Sequence, residues 1–173
     1  GNPLIERSEI VAGRRPAEID LAHHGGDLEN RVLAEATRPR LAAESGDMAA
    51  GQGYRGWADA LRDRIRARFW LEDAQQFSAF VTTLLDPAPT RRWDMLGTAL
   101  AILTGVATEA QGRAAMASYP RAGEIGPAVL WPQQQLTPIY HNRGAWPFVT
   151  AYGLRAARHV GNDAVITRDV WAL

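Results

Sequence analysis

The sequence predicts an all-α protein assembled from αα-hairpins. Apolar residues recur at helical spacing over most of the chain. Helix-starting and helix-stopping residues bracket those stretches. A rhythm of buried helix, short turn, amphipathic helix and longer loop then occurs three times, at roughly 28–45 with 51–70, 95–107 with 108–118, and 145–160 with 163 onward. At 173 residues the chain suits one domain.

Taken in order, residues 1–27 are irregular and end in His23-His24-Gly25-Gly26-Asp27, a turn with an N-cap at Asp27. Leu28, Val32 and Ala36 then share one helical face, which Pro39 interrupts. The next helix is clearer: Trp57, Leu61, Ile65 and Phe69 form one apolar stripe on a charged rod, so one side faces solvent. Residues 76–85 fit either a helix or an extended segment, because Phe77, Phe80, Val81 and Leu84 have helical spacing but β-forming types. Asp86-Pro87-Ala88-Pro89 ends that stretch.

Met95 to Val106 is apolar nearly all round, which predicts a helix buried nearly all round, with Asp94 at its N-cap. Gly105 falls near its end, and Thr108-Glu109-Ala110-Gln111 is a capping box opening the next, surface helix to about Ser118. Residues 119–143 form a long connection rich in Pro, Gly and Gln, of the kind that usually carries function. Pro147 starts another helix at a first-turn position, Gly161 ends it, and Asn162 or Asp163 caps a last helix through Val165, Ile166 and Val170.

Composition narrows the chemistry. Lys+Arg and Asp+Glu are both 19, so the basic excess typical of nucleic-acid binding is missing. There is no Cys, which excludes disulfides, thiol nucleophiles, thiolate zinc sites and iron–sulfur clusters. There is no Lys either, which excludes Schiff-base chemistry and the phosphate-binding Lys of a P-loop. Carboxylate, His or Ser chemistry remains, or binding alone. The richest apolar stretch, Met95 to Val106, is too short to span a bilayer. Gly1-Asn2-Pro3 lacks the charged start and apolar run of a signal peptide, and the compartment, cytoplasmic or periplasmic, stays open. The final Val170-Trp171-Ala172-Leu173 stops in an amphipathic pattern, which reads as part of a longer protein.

Several motifs carry less than their letters promise. Gly51-Gln52-Gly53-Tyr54-Arg55-Gly56 spells a dinucleotide fingerprint, but no strand precedes it, and it reads as a flexible helix–helix connection. Arg62, Arg64, Arg66 and Arg68 point in different directions on a helix, and Asp59 and Asp63 can pair with Arg62 and Arg66. His23-His24 with Asp27 has ligand types without a second cluster at ligand spacing, so no metal is expected.

The strongest constellation is Trp131-Pro132-Gln133-Gln134-Gln135 followed by Tyr140-His141-Asn142-Arg143-Gly144-Ala145-Trp146-Pro147-Phe148. Aromatic faces stack on the C–H faces of a sugar ring, while amides, His and Arg supply directed hydrogen bonds to its hydroxyls. The competing reading is that these aromatics only anchor a long loop on the core.

Trp93 to Ala107, Pro132-Gln133-Gln134, and Tyr140 to Val149 together resemble the six-hairpin glycosidase superfamily. Within it they are similar to bacterial proteins of the mannosylglycerate hydrolase kind and to the glucosidase–trehalase group. Arg68-Phe69-Trp70 fits the same pattern, and the resemblance covers about residues 50–165. It implies an α/α toroid of six hairpins, with a sugar site at the N-terminal mouth of the inner helices. Here those helix starts would be Asp27, Asp94 and the 142–146 region. The resemblance also implies inverting hydrolysis by a carboxylic acid and a carboxylate base, without a cofactor. The chain has room for about three hairpins, and the family's acid and base usually sit in other hairpins than these.

The expectation is therefore part of an α/α toroid from a glycoside-hydrolase-like protein. Trp131, Gln133, Tyr140, His141, Asn142, Arg143 and Trp146 would contact the sugar, and Asp94 and Glu124 are the candidate acid/base carboxylates. The expected partner is a carbohydrate, with no nucleic acid and no membrane span. Two other readings stand beside it: a non-catalytic carbohydrate-binding protein, and a helical scaffold. A partial toroid exposes the sides of its buried helices, which invites self-association or union with a further part of the same protein.

Overall fold

The computed structural model describes residues 44, 46 and 48–173, except 83, 84, 86, 122–124, 134, 135, 137–141 and 143. The irregular segment 1–27, the helix expected over 28–45 save Glu44, and the His23-His24-Asp27 cluster lie outside the described residues.

The all-α expectation is overturned. Helices α1 (Met48–Phe69), α2 (Met95–Leu103), α3 (Glu109–Ser118), α4 (Pro147–His159) and α5 (Asp163–Asp169) are joined by four short strands, so the fold mixes α and β. β1 (Trp70–Leu71) pairs antiparallel with β2 (Gln76–Phe77), and β3 (Trp93–Asp94) pairs antiparallel with β4 (Leu130–Trp131). The toroid of three successive hairpins falls with it. Buried backbone N–H and C=O groups need partners. Where Pro and Gly end the helices, short antiparallel ladders supply them. Val81 with Pro89 and Arg121 with Pro127 form two further isolated bridges.

The ambiguous stretch after residue 76 is extended, not helical, through β2 and the Val81 bridge. Ser78 stitches it together. Its hydroxyl donates to Phe80 O at 2.7 Å and accepts from Thr90 N–H at 2.9 Å. The Gly51–Gly56 motif also departs from expectation. Helix α1 runs straight through it instead of breaking there. A Cβ added at Gly53 or Gly56 would stand in open space, so no close approach of a neighbour calls for these glycines.

The helices after residue 57 lie where periodicity put them. Leu61, Ile65 and Phe69 of α1 are buried, and Arg62–Asp59 and Arg66–Asp63 pair on its charged sides at 2.7 and 3.5 Å. α2 is almost wholly buried and packs chiefly against α4. α3 buries only Gly112, Ala115 and Met116. Its capping box is formed, with Thr108 Oγ1 accepting from Gln111 N–H and Gln111 Oε1 accepting from Thr108 N–H. Asn162 Oδ1 caps α5 by accepting from Val165 N–H at 3.1 Å.

Two contacts hold distant ends. Arg66 reaches from α1 to the turn that follows α2, donating to the carbonyls of Val106 and of Gly105, the latter at 2.8 Å. Those carbonyls are exposed by the left-handed turn at Gly105, φ +79°. Near the end of the chain Asp169 is buried between Arg121 and Arg168, at 3.0 and 2.6 Å. Among the described residues, no helix is long and apolar enough to cross a membrane.

Candidate functional site

Three segments far apart in sequence meet at the start of α2. The first is Arg92 to Met95, the second Ala128 to Gln133, the third Asn142 to Phe148. Backbone bonds lace them together: Met95 N–H donates to Val129 O at 3.1 Å, and Val129 N–H donates to Gly144 O at 3.0 Å. Arg92 makes a further tie from its side chain. Its Nη2 donates to Pro132 O at 3.3 Å and to Asn142 Oδ1 at 3.2 Å. Burial holds the Arg92 guanidinium below its ordinary value.

The β3–β4 register sorts the candidate residues by face. Trp93 stands opposite Trp131, and Asp94 stands opposite Leu130. Side chains alternate along a strand, so Trp93 and Trp131 share one face of the ladder and Asp94 lies on the other. Trp93 is buried edge-on against Tyr119, ring centroids 5.1 Å apart. Trp131 is the outer member of the pair and keeps 36% of its surface in solvent. Gln133, two residues on, is half-buried.

Asp94 is buried, and its Oδ1 accepts from Gly97 N–H at 3.1 Å. It therefore performs the capping job that its position ahead of α2 predicts. Behind it, the Tyr119 hydroxyl donates to Ala128 O at 2.9 Å. Complete burial, and secondarily the charge of Asp94, push that phenol well above its usual value. The ring therefore stays neutral and keeps donating at ordinary pH.

The third segment forms the facing wall. Asn142 is buried. Trp146 is half-buried, packs on the core, and precedes the Pro147 that opens α4. Its ring lies 5.6 Å from that of Phe148, which is half exposed. Trp131, Gln133, Asn142 and Trp146 thus belong to segments that the structure brings together. Asp94 is buried and lies on the other face of the ladder from Trp131. Glu124, Tyr140, His141 and Arg143 lie outside the described residues.

Sequence reasoning missed Arg92 as a site residue. Arg92 follows another arginine, and nothing in an Arg-Arg pair says which one turns inward. Phe148 counts toward the apolar surface of α4 by spacing, yet half of it faces water. Among the described residues, no group of three His, Asp or Glu could hold a metal ion.

This arrangement can offer a flat aromatic face with amide donors and acceptors next to it, on a frame braced by three hydrogen-bonded segments. No family model matches the chain, and a search of curated proteins found no match.

Proposed function

We propose that this chain recognises a carbohydrate, as part of a glycoside-hydrolase-like protein. The observation that carries the reading is the partly exposed ring of Trp131, anchored by strand pairing to Trp93, in a segment that Arg92 links to Asn142. A saccharide presents C–H faces and a rim of hydroxyls, which call for an aromatic plate with amides at its edge. The proposal stands on this site and not on a toroid. Recognition is the better supported half. A hydrolytic step would need one carboxylic acid to protonate the leaving oxygen and one carboxylate to activate water; of the candidates Asp94 and Glu124, Asp94 is buried, caps α2 and lies on the ladder face away from Trp131.

The test is a thermal-shift panel of monosaccharides, disaccharides and glycosyl-glycerates, run on the native chain and on Trp131→Ala. A ligand bound only by the folded state raises the melting temperature with its concentration. A saturable shift with one saccharide class, lost in Trp131→Ala, is the expected result. A flat panel, or a shift that Trp131→Ala leaves intact, overturns the reading. Incubation of the responding glycoside with Asp94→Asn then separates hydrolysis from binding.

A further inference from the structure

We propose that Arg92 is the positioning residue of this site, locking its two walls into one arrangement. The inference rests on the carbohydrate reading for its ligand, but its geometry stands apart from it. Arg92 reaches 40 positions along the chain to Pro132 O and 50 positions to Asn142 Oδ1, with the same Nη2 atom. Pro132 directly follows Trp131, so this bond holds the chain one residue beyond the plate. Asn142 belongs to the opposite wall.

The inner ends of both walls are joined by backbone, through Val129 N–H and Gly144 O. The outer ends have Arg92. Trp131 stands between the two ties, two residues beyond Val129 and one before Pro132. Strand pairing with Trp93 sets the Trp131 backbone, and the Arg92 tie fixes the chain that leaves it toward the Asn142 segment. Charge-assisted bonds suit the outer tie because the guanidinium presents several donors in one rigid plane. The bond to Asn142 Oδ1 is partly buried, while the bond to Pro132 O is exposed. Arg92 touches no ligand in this account. It acts through the Pro132 and Asn142 ties, and it narrows the ligands accepted to those that fit one fixed setting of the Trp131 ring.

The experiment uses the chain labelled with 5-fluorotryptophan, whose Trp131 signal is identified by Trp131→Phe. In Arg92→Met the Trp131 fluorine resonance should move or broaden while that of Trp70, remote from the tie, holds. Arg92→Met with Asn142→Ala should move it no further than Arg92→Met alone, because both remove one coupling. Affinity for the responding saccharide should fall about tenfold, the loss of a charged hydrogen bond. An unmoved Trp131 signal in folded Arg92→Met, or additive displacement in the double variant, overturns the proposal. Should Arg92→Met fail to fold, Arg92→Gln is read the same way. If methyl α-glucoside, methyl α-mannoside, maltose and cellobiose all leave the native Trp131 signal unmoved, the carbohydrate reading falls. The ligand-free variants still decide whether Arg92 sets Trp131.

Discussion

Gly153 of α4 lies directly against Met95 of α2: a Cβ added at Gly153 would sit 2.9 Å from the Met95 Sδ. The missing side chain is what lets the two most intimately packed helices approach. Met95 is fully buried, so it has nowhere to retreat. Gly153→Val should destabilise the chain by about 2 kcal/mol, the usual cost of overpacking. Combining it with Met95→Ala should cost less than the sum of the two, with a coupling of at least about 0.5 kcal/mol. Urea titration of all four chains measures this, and strict additivity would contradict the contact.

Trp131 and Trp146 should part company in stability. The Trp146 ring packs on the core, so Trp146→Ala should cost about 3 kcal/mol. Trp131 is one-third exposed, so Trp131→Ala should cost distinctly less. Denaturation midpoints of the two variants check the order. The more exposed ring is therefore the cleaner probe of binding.

Tyr119 makes stability fall in alkali. Its phenol is held well above 10.0 when folded and titrates near that value when unfolded. The raised value means that the folded state keeps its proton longer. This contribution is full below about pH 10 and is lost as pH climbs from there toward the folded value. Tyr119→Phe should cost about 1 kcal/mol at neutral pH, from the lost bond to Ala128 O. It should also flatten the decline above pH 10. Urea midpoints at pH 9 and 11, with phenolate absorbance read alongside, show whether the slope belongs to this ring.

How legible the molecule is in its sequence differs by element. The Leu61-Ile65-Phe69 stripe, the all-round apolarity of α2, and the caps at Asp94, Thr108 and Asn162 are local patterns, and each appears where its letters place it. The ladders are not local. Two-residue strands have no period to detect, and the partner of Trp93 lies beyond two helices, at Trp131. The candidate site shares that fate. Trp131, Asn142 and Trp146 stand out by residue type, whereas Arg92 becomes visible only through the acceptors that folding brings to it.

Asp169 should prove necessary to the end of the chain. Its carboxylate is buried between two arginines, and Ala172 just after it packs on Gly126, where an added Cβ would meet it at 2.7 Å. Asp169→Ala leaves Arg121 and Arg168 without their partner. Because both arginines are partly exposed, the cost should be about 2 kcal/mol, below that of breaking a fully buried pair. Hydrogen exchange should quicken at Gly126 to Val129 before it quickens in α2. Uniform change across the chain would argue against a local clasp.

Arg66 closes α2 from outside. Removing it in Arg66→Met leaves the carbonyls of Gly105 and Val106 without their side-chain donor. The loss should be about 1 kcal/mol, and Thr108→Ala at the neighbouring cap should cost a similar amount. Thermal melts of the two single variants check both values.

The ties made by Arg92 have a kinetic meaning. Helices form from neighbours, but bonds spanning 40 and 50 positions require long loops to close first. A chain that has made every helix has therefore not yet made the site. On that ground Trp131 and Asn142 should come together late in folding and part early in unfolding. A ligand held between them would grip a late-formed clasp, so it would lengthen the lifetime of the native state and leave the folding rate nearly untouched.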